Sequence, residues 1–164
     1  MGSVGSKDLI NFTQELTQLE YPAHILIAVG RSHNLIDKIE SIDLPEHITT
    51  TVIPFTDKIA DLMAVSDLLI TKSGSVTFAE SIYLQLPTIL DATRSVLMWE
   101  RLNHDIVKNS NIGTTIESLN DIVPLVSQIL DESENSIFRK NMHSMITKNP
   151  CREICDLIKE IIKK

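Results

Sequence analysis

Short runs of apolar, mostly β-branched residues alternate along this chain with longer stretches in which apolar residues recur every three or four positions. That is the pattern of βα units feeding a parallel sheet. The strand-like runs are 24–29, closed by Gly30, then 48–55, 67–71, 88–90 and 113–116. The third, Asp67-Leu68-Leu69-Ile70-Thr71, is apolar without alternation, which predicts a strand covered on both faces. Helical spacing links Leu9, Phe12, Leu16 and Leu19, and again Leu35, Ile39 and Ile42, with further helices predicted over 57–65, 76–84 and 100–109. After residue 117 the strands stop, and 119–130, 136–146 and 152–162 all read as helix. No repeat or low-complexity linker interrupts the pattern. The expected fold is therefore one α/β domain over 1–164, a Rossmann-like three-layer arrangement of a parallel sheet flanked by helices, with a helical C-terminal end.

One feature at the start changes that picture. Gly2-Ser3-Val4-Gly5-Ser6 is a small-residue loop opening a helix, and such loops follow a strand that aims them. In the doubly wound order 3-2-1-4-5-6 that strand is central, so the reading predicts a sheet whose first strand is missing. Its two neighbours would then carry unpaired ladder groups, which invites self-association.

Composition narrows the function classes. Apolar residues make up 43% and charged residues 23% of the 164, enough for a packed core. With 22 acidic against 15 basic residues the net charge is −7, the wrong sign for a domain that gathers nucleic acid through its overall field. No run is long enough for a membrane span and the start lacks a signal peptide's basic and apolar regions, so a cytoplasmic location is expected. Cys151 and Cys155 stand four apart in a predicted helix and read as reduced, partly buried thiols. The five histidines have no metal-ligand spacing and read as surface or capping residues. The acids at 131, 132 and 134 read as a solvated turn.

In an open α/β sheet, ligands bind beyond the carboxyl ends of the strands. After the third strand comes Lys72-Ser73-Gly74-Ser75, leading into the helix that begins near Val76. Backbone N–H groups at such a start are unpaired and partly positive, which suits a phosphate or diphosphate, and Gly74 lets an oxygen come close. Ser73 or Ser75 could equally cap the helix. Thr77-Phe78-Ala79-Glu80 fits the S/T-x-x-E capping box, while a carboxylate one turn beyond a phosphate loop can also hold ribose hydroxyls.

The stretch 66–81, with Ser73-Gly74-Ser75-Val76-Thr77-Phe78-Ala79-Glu80 at its centre, followed by Gln85-Leu86-Pro87, resembles the donor-binding signature of GT-B glycosyltransferases. The similar families are the N-acetylglucosaminyltransferase of peptidoglycan-precursor synthesis and the monogalactosyldiacylglycerol synthase group. The likeness covers nearly the whole chain as their C-terminal domain alone, with the loop around Ser3 matching the glycine-rich loop that opens that domain and Val29-Gly30-Arg31-Ser32 resembling a CGRN segment. The resemblance implies that Ser73, Gly74, Ser75 and Thr77 lie near the diphosphate of a UDP-sugar and that Glu80 holds its ribose. It places Phe55 and Thr56 where uracil is covered by an apolar side chain and read through backbone groups, a sensible pyrimidine reader, although Phe55 could also be ordinary core. Glu100 and Asn103 match the polar positions of a P-G-Q-E-x-x-N segment that contacts sugar and ribose, whereas Leu97, Met98 and Trp99 replace its Pro, Gly and Gln. Arg31 could neutralise diphosphate charge as the glycosyl bond breaks, or be a solvated partner of Asp37 or Glu40.

The implied activity is that of the donor half of an inverting, UDP-dependent transferase acting on a lipid or lipid-linked acceptor, with UDP-sugar as substrate and no other cofactor. Its acceptor pocket and base would lie in an N-terminal domain or a separate subunit, which would also carry any peripheral membrane contact. The alternatives are a noncatalytic nucleotide-sugar module or decayed fragment, and a UDP-sugar 2-epimerase-like enzyme.

Overall fold

The computed structural model describes residues 8–146 and 149–163. In chain order it contains α1 (Asp8–Leu16), β1 (Ala23–Gly30), α2 (Ile36–Glu40), β2 (Ile48–Pro54), α3 (Ile59–Ala64), β3 (Leu69–Lys72), α4 (Ser75–Tyr83) and β4 (Thr88–Asp91). There follow α5 (Arg101–Ser110), β5 (Gly113–Ile116), α6 (Ile122–Leu130), α7 (Glu132–Met145) and α8 (Pro150–Ile162), with short 3-10 turns ahead of α2, α5 and α6. All five predicted strands are present.

Every strand pairing is parallel. β1 pairs with β2, with Leu26 opposite Thr51, and β4 lies between β3 and β5, with Ile89 opposite both Ile70 and Thr114. Among the described residues the strands form two separate ladders, with no pairing between β1 and β3, the neighbours of the central position in the doubly wound order. The small-residue loop that would follow a strand at that position, Ser3 included, lies outside the described residues.

The break shows in the burial. β4, hydrogen-bonded on both sides, is buried at all four positions, whereas β3 keeps Leu69 and Ile70 half-buried. The strand covered on both faces is thus β4 and not the predicted third strand, because covering requires a neighbour on each edge as well as helices above and below. Gly113 lets β5 come close, since a Cβ there would lie 2.1 Å from the Thr88 carbonyl oxygen.

Adjacent residues on β4 feed opposite cores, which is what makes the domain three-layered. Ile89 joins Phe12 and Leu16 of α1, Ile48 of β2, Ile116 of β5 and Ile122, Val126 and Ile129 of α6, a cluster that ties both pieces of the sheet together. Leu90 joins Phe78 of α4, Val107 of α5, Ile112 and Met142 of α7. A third cluster, Ile27, Val29, Leu35 and Ile39, sits between β1 and α2. Burying each such side chain contributes about 1.5–3 kcal/mol.

Two readings of the sequence are corrected at the C-terminal end. The acids near 131 are solvated as expected but form the start of a helix and not a turn: Asp131 is the N-cap of α7 and accepts from the N–H groups of Ser133 and Glu134. The hydroxyl of Ser133 also donates to it, and these bonds hold the Asp131 carboxyl below the ordinary range. In α8, capped by Asn149, residues 151–163 are all exposed, so Cys151 and Cys155 are exposed thiols and not partly buried ones. Helical spacing identified an apolar stripe there, and burial needs a surface to pack on; Ile154, Leu157 and Ile161 remain uncovered.

Candidate functional site: a braced loop at the end of the third strand

β3 delivers Lys72 at its carboxyl end, and α4 starts three residues later with Gly74 as its N-cap. The first bond of the helical ladder runs from Phe78 N–H to the Gly74 carbonyl (3.1 Å), so the N–H groups of Ser75, Val76 and Thr77 precede the ladder. They open onto a cleft of about 330 Å³ whose walls are Thr71, Lys72, Gly74, Ser75, Val76, Thr77 and Glu100. A Cβ on Gly74 would meet nothing within 4 Å. The glycine is therefore not required by packing or by backbone conformation, and what it leaves clear is the approach to the helix start.

The loop is fixed from behind by α5. Asn103, buried, donates from Nδ2 to the Ser73 carbonyl (2.6 Å) and more weakly to Ser75 Oγ (3.4 Å). His104 bonds Ser73 Oγ through Nε2 (2.7 Å) and Thr115 Oγ1 of β5 through Nδ1 (2.9 Å). Ser73 is only 1% exposed, so its hydroxyl serves the loop's interior and not the cleft. Burial holds the His104 pKa below its ordinary value, against the opposing pull of the Glu100, Asp105, Asp91 and Glu117 carboxylates. Burial thus favours the neutral imidazole.

Both capping alternatives are resolved by this geometry. Neither Ser73 nor Ser75 is the N-cap of α4, and Gly74, which is, has no side chain to make a capping bond. Thr77 is the third residue of the helix and not its cap, so Thr77 and Glu80 form no capping box. Glu80 is exposed one turn further along α4.

The remaining predicted residues fall in two groups. Glu100 and Asn103 lie with the loop, Glu100 in the cleft wall and Asn103 behind it. Gly30, at φ +60° in the left-handed region, closes β1, and Arg31 follows it with its guanidinium 4.9 Å from the ring centre of Phe55, just past β2. Phe55 is 55% exposed and is not core. Thr56 accepts from the Lys58 N–H (3.1 Å). This aromatic and cationic pair stands at the carboxyl ends of β1 and β2, as the braced loop stands at that of β3. His104, read from the sequence as a surface or capping residue, is instead a partly buried bridge between Ser73 and Thr115; its partners lie 31 and 11 residues away, so no local pattern marks it. Sequence reasoning also left Lys72 outside the candidate set, although that lysine opens the quoted loop and supplies a positive charge to the cleft wall.

Parallel strands flanked by helices, with a cleft at the carboxyl end of β3, define an α/β domain of the doubly wound class. The model of the glycosyltransferase family 28 C-terminal domain matches residues 1–158, and the chain belongs to that family. It is 24% identical over 160 residues to processive diacylglycerol beta-glucosyltransferase of Bacillus pumilus (strain SAFR-032), an alignment covering 95% of this chain and 41% of that protein. It is 32% identical over 118 residues to the chloroplastic monogalactosyldiacylglycerol synthase of Spinacia oleracea, covering 72% of this chain and 22% of that one. Among solved structures, MurG of Acinetobacter baumannii superposes with a TM-score of 0.83 at 18% identity, covering 97% of this chain and 48% of that chain. The fold is that of a GT-B C-terminal domain, and the chain spans less than half the length of these relatives.

Proposed function

We propose that this domain binds the donor of an inverting glycosyltransfer reaction, a UDP-sugar, and presents it to an acceptor-binding domain or subunit that takes a lipid or lipid-linked hydroxyl. The observation that carries the reading is the braced 72–77 loop, whose Lys72 and first helical residues line a cleft, with open space where a Gly74 side chain would stand. Fixed N–H dipoles there are aimed where a departing diphosphate gains charge. In the reaction a base on the acceptor side takes the hydroxyl proton, the acceptor oxygen bonds the anomeric carbon, and the bond to UDP breaks with its electron pair leaving on the diphosphate. Glu80, uninvolved in capping, holds the ribose; Phe55, Thr56 and Arg31 cover the base and offset charge. The printed names of the diacylglycerol and monogalactosyldiacylglycerol relatives support a lipid acceptor. No helix among the described residues is long and apolar enough to cross a membrane.

A second reading, a noncatalytic nucleotide-sugar module, draws on Leu97, Met98 and Trp99, which are exposed where the resembling families carry Pro, Gly and Gln. Calorimetric titration with UDP, UDP-glucose, UDP-galactose and UDP-N-acetylglucosamine, followed by a transfer assay, tests both. Binding of UDP that Glu80→Ala weakens at least tenfold, about 1.4 kcal/mol, supports the donor role. Transfer of sugar when the acceptor domain is supplied excludes the noncatalytic module, nucleotide-sugar binding without transfer favours it, and unchanged affinity in Glu80→Ala removes that residue from the ribose site.

A further inference from the structure

α5 meets the loop through two neighbouring residues of different chemistry. Asn103 can only hold, whereas His104 can also change charge. Nε2 of His104 lies 2.7 Å from Ser73 Oγ, one residue from the cleft wall at Gly74, and Nδ1 lies 2.9 Å from Thr115 Oγ1, which anchors the ring to β5. Both partners are hydroxyls, and a hydroxyl accepts or donates. Either imidazole charge state therefore fits the same clamp, with two N–H donors when protonated and one when neutral.

The surroundings make that choice sensitive to a ligand. Burial opposes the charged ring, while Glu100 of the turn before α5, Asp105 of α5, Asp91 at the end of β4 and Glu117 after β5 favour it. Lys72 at the end of β3 shares the cleft wall with Glu100. An anion in the cleft adds negative charge on the side of the ring that Ser73 occupies, and would tip the balance towards imidazolium.

We propose that His104 is a positioning residue whose protonation is coupled to occupation of the cleft: it clamps Ser73 so that the start of α4 stays aimed at the ligand, and it takes up a proton when a diphosphate binds. The proposal rests on the donor-site reading above and adds to it a residue that nothing in the loop's own motif identifies. Its consequence is that UDP binds more tightly as pH falls through the histidine range, by an amount beyond that due to the nucleotide's own phosphate.

NMR titration of the five imidazoles of the full chain, with and without saturating UDP, reads the effect directly, and the resonance absent from His104→Gln assigns the ring. Without ligand the His104 midpoint lies below 6.5, its ordinary value. With UDP it rises, and between pH 8 and pH 6 the wild type gains more affinity than His104→Gln, by up to about sixfold for a midpoint raised by one pH unit from just below its ordinary value. Glutamine reaches Ser73 as Nε2 does but cannot titrate, so at pH 8 it binds UDP within about twofold of the wild type, while His104→Ala, which loses the clamp, is at least fivefold weaker. Binding of UDP with an unmoved His104 midpoint overturns this inference alone. Failure of the wild type to bind UDP overturns it together with the donor-site reading.

Discussion

The two pieces of the sheet present their carboxyl ends in different ways. On the β3–β4–β5 piece, the loop after β3 is held by three side-chain bonds from Asn103 and His104, and the strand beside it is wholly buried. On the β1–β2 piece, Arg31 and Phe55 lean on each other in solvent, with half-buried strand residues such as Leu26 below them. The first is preorganised, as a site for charge must be, because dipoles that have to reorient on binding return little free energy. The second is an adaptable plate suited to a flat, weakly polar group, whose affinity comes from area and stacking. A nucleotide has one end of each kind.

The two regions also differ in how deeply their strands are buried. The largest expected effect is accordingly on folding. Ile89→Ala, in the middle of β4, should cost about 2–5 kcal/mol in urea unfolding, whereas Leu26→Ala in half-buried β1 should cost about half that or less. Equal losses would mean that β1 is as fully enclosed as β4 and that the contrast is false. Next is Asn103→Ala, which strands the buried Ser73 carbonyl and should cost about 1–3 kcal/mol of stability together with most of the UDP affinity. An Asn103→Ala protein that binds UDP normally would show that the loop needs no brace. Smallest is Phe55→Ala: UDP affinity should fall by about twofold to fivefold, within the range of one exposed cation–π and stacking contact, with the melting temperature unmoved. A large loss of stability there would return Phe55 to the core.

Much of this was legible in the sequence, and the parts that were not have a common cause. Strand positions were set by short apolar runs that have no other use, and 113–116 was placed without error. The loop 72–75 was legible because small residues between a strand and a helix serve few purposes. The loop at residues 2–6 lies outside the described residues, among which β1–β2 and β3–β4–β5 form separate ladders. What escaped depended on partners distant in sequence. His104 takes its meaning from Ser73 and Thr115, and periodicity in α8 named an apolar face without supplying a surface for it. The start of α7 was missed for a local reason: Asp131, Glu132 and Glu134 look like a solvated turn until the carboxylate is seen bonding two N–H groups.

The central claim is that a diphosphate rests on the leading N–H groups of α4. The most direct measurement is an amide-resolved NMR titration of the full chain with UDP, alongside Gly74→Ala, whose new methyl would occupy the approach without meeting any protein atom within 4 Å. The account predicts saturable shifts centred on the amides of Ser75, Val76 and Thr77, and loss of those shifts in a Gly74→Ala protein that melts no lower than the wild type. Saturating UDP that leaves these three amides in place, or that binds Gly74→Ala as tightly as the wild type, would contradict it.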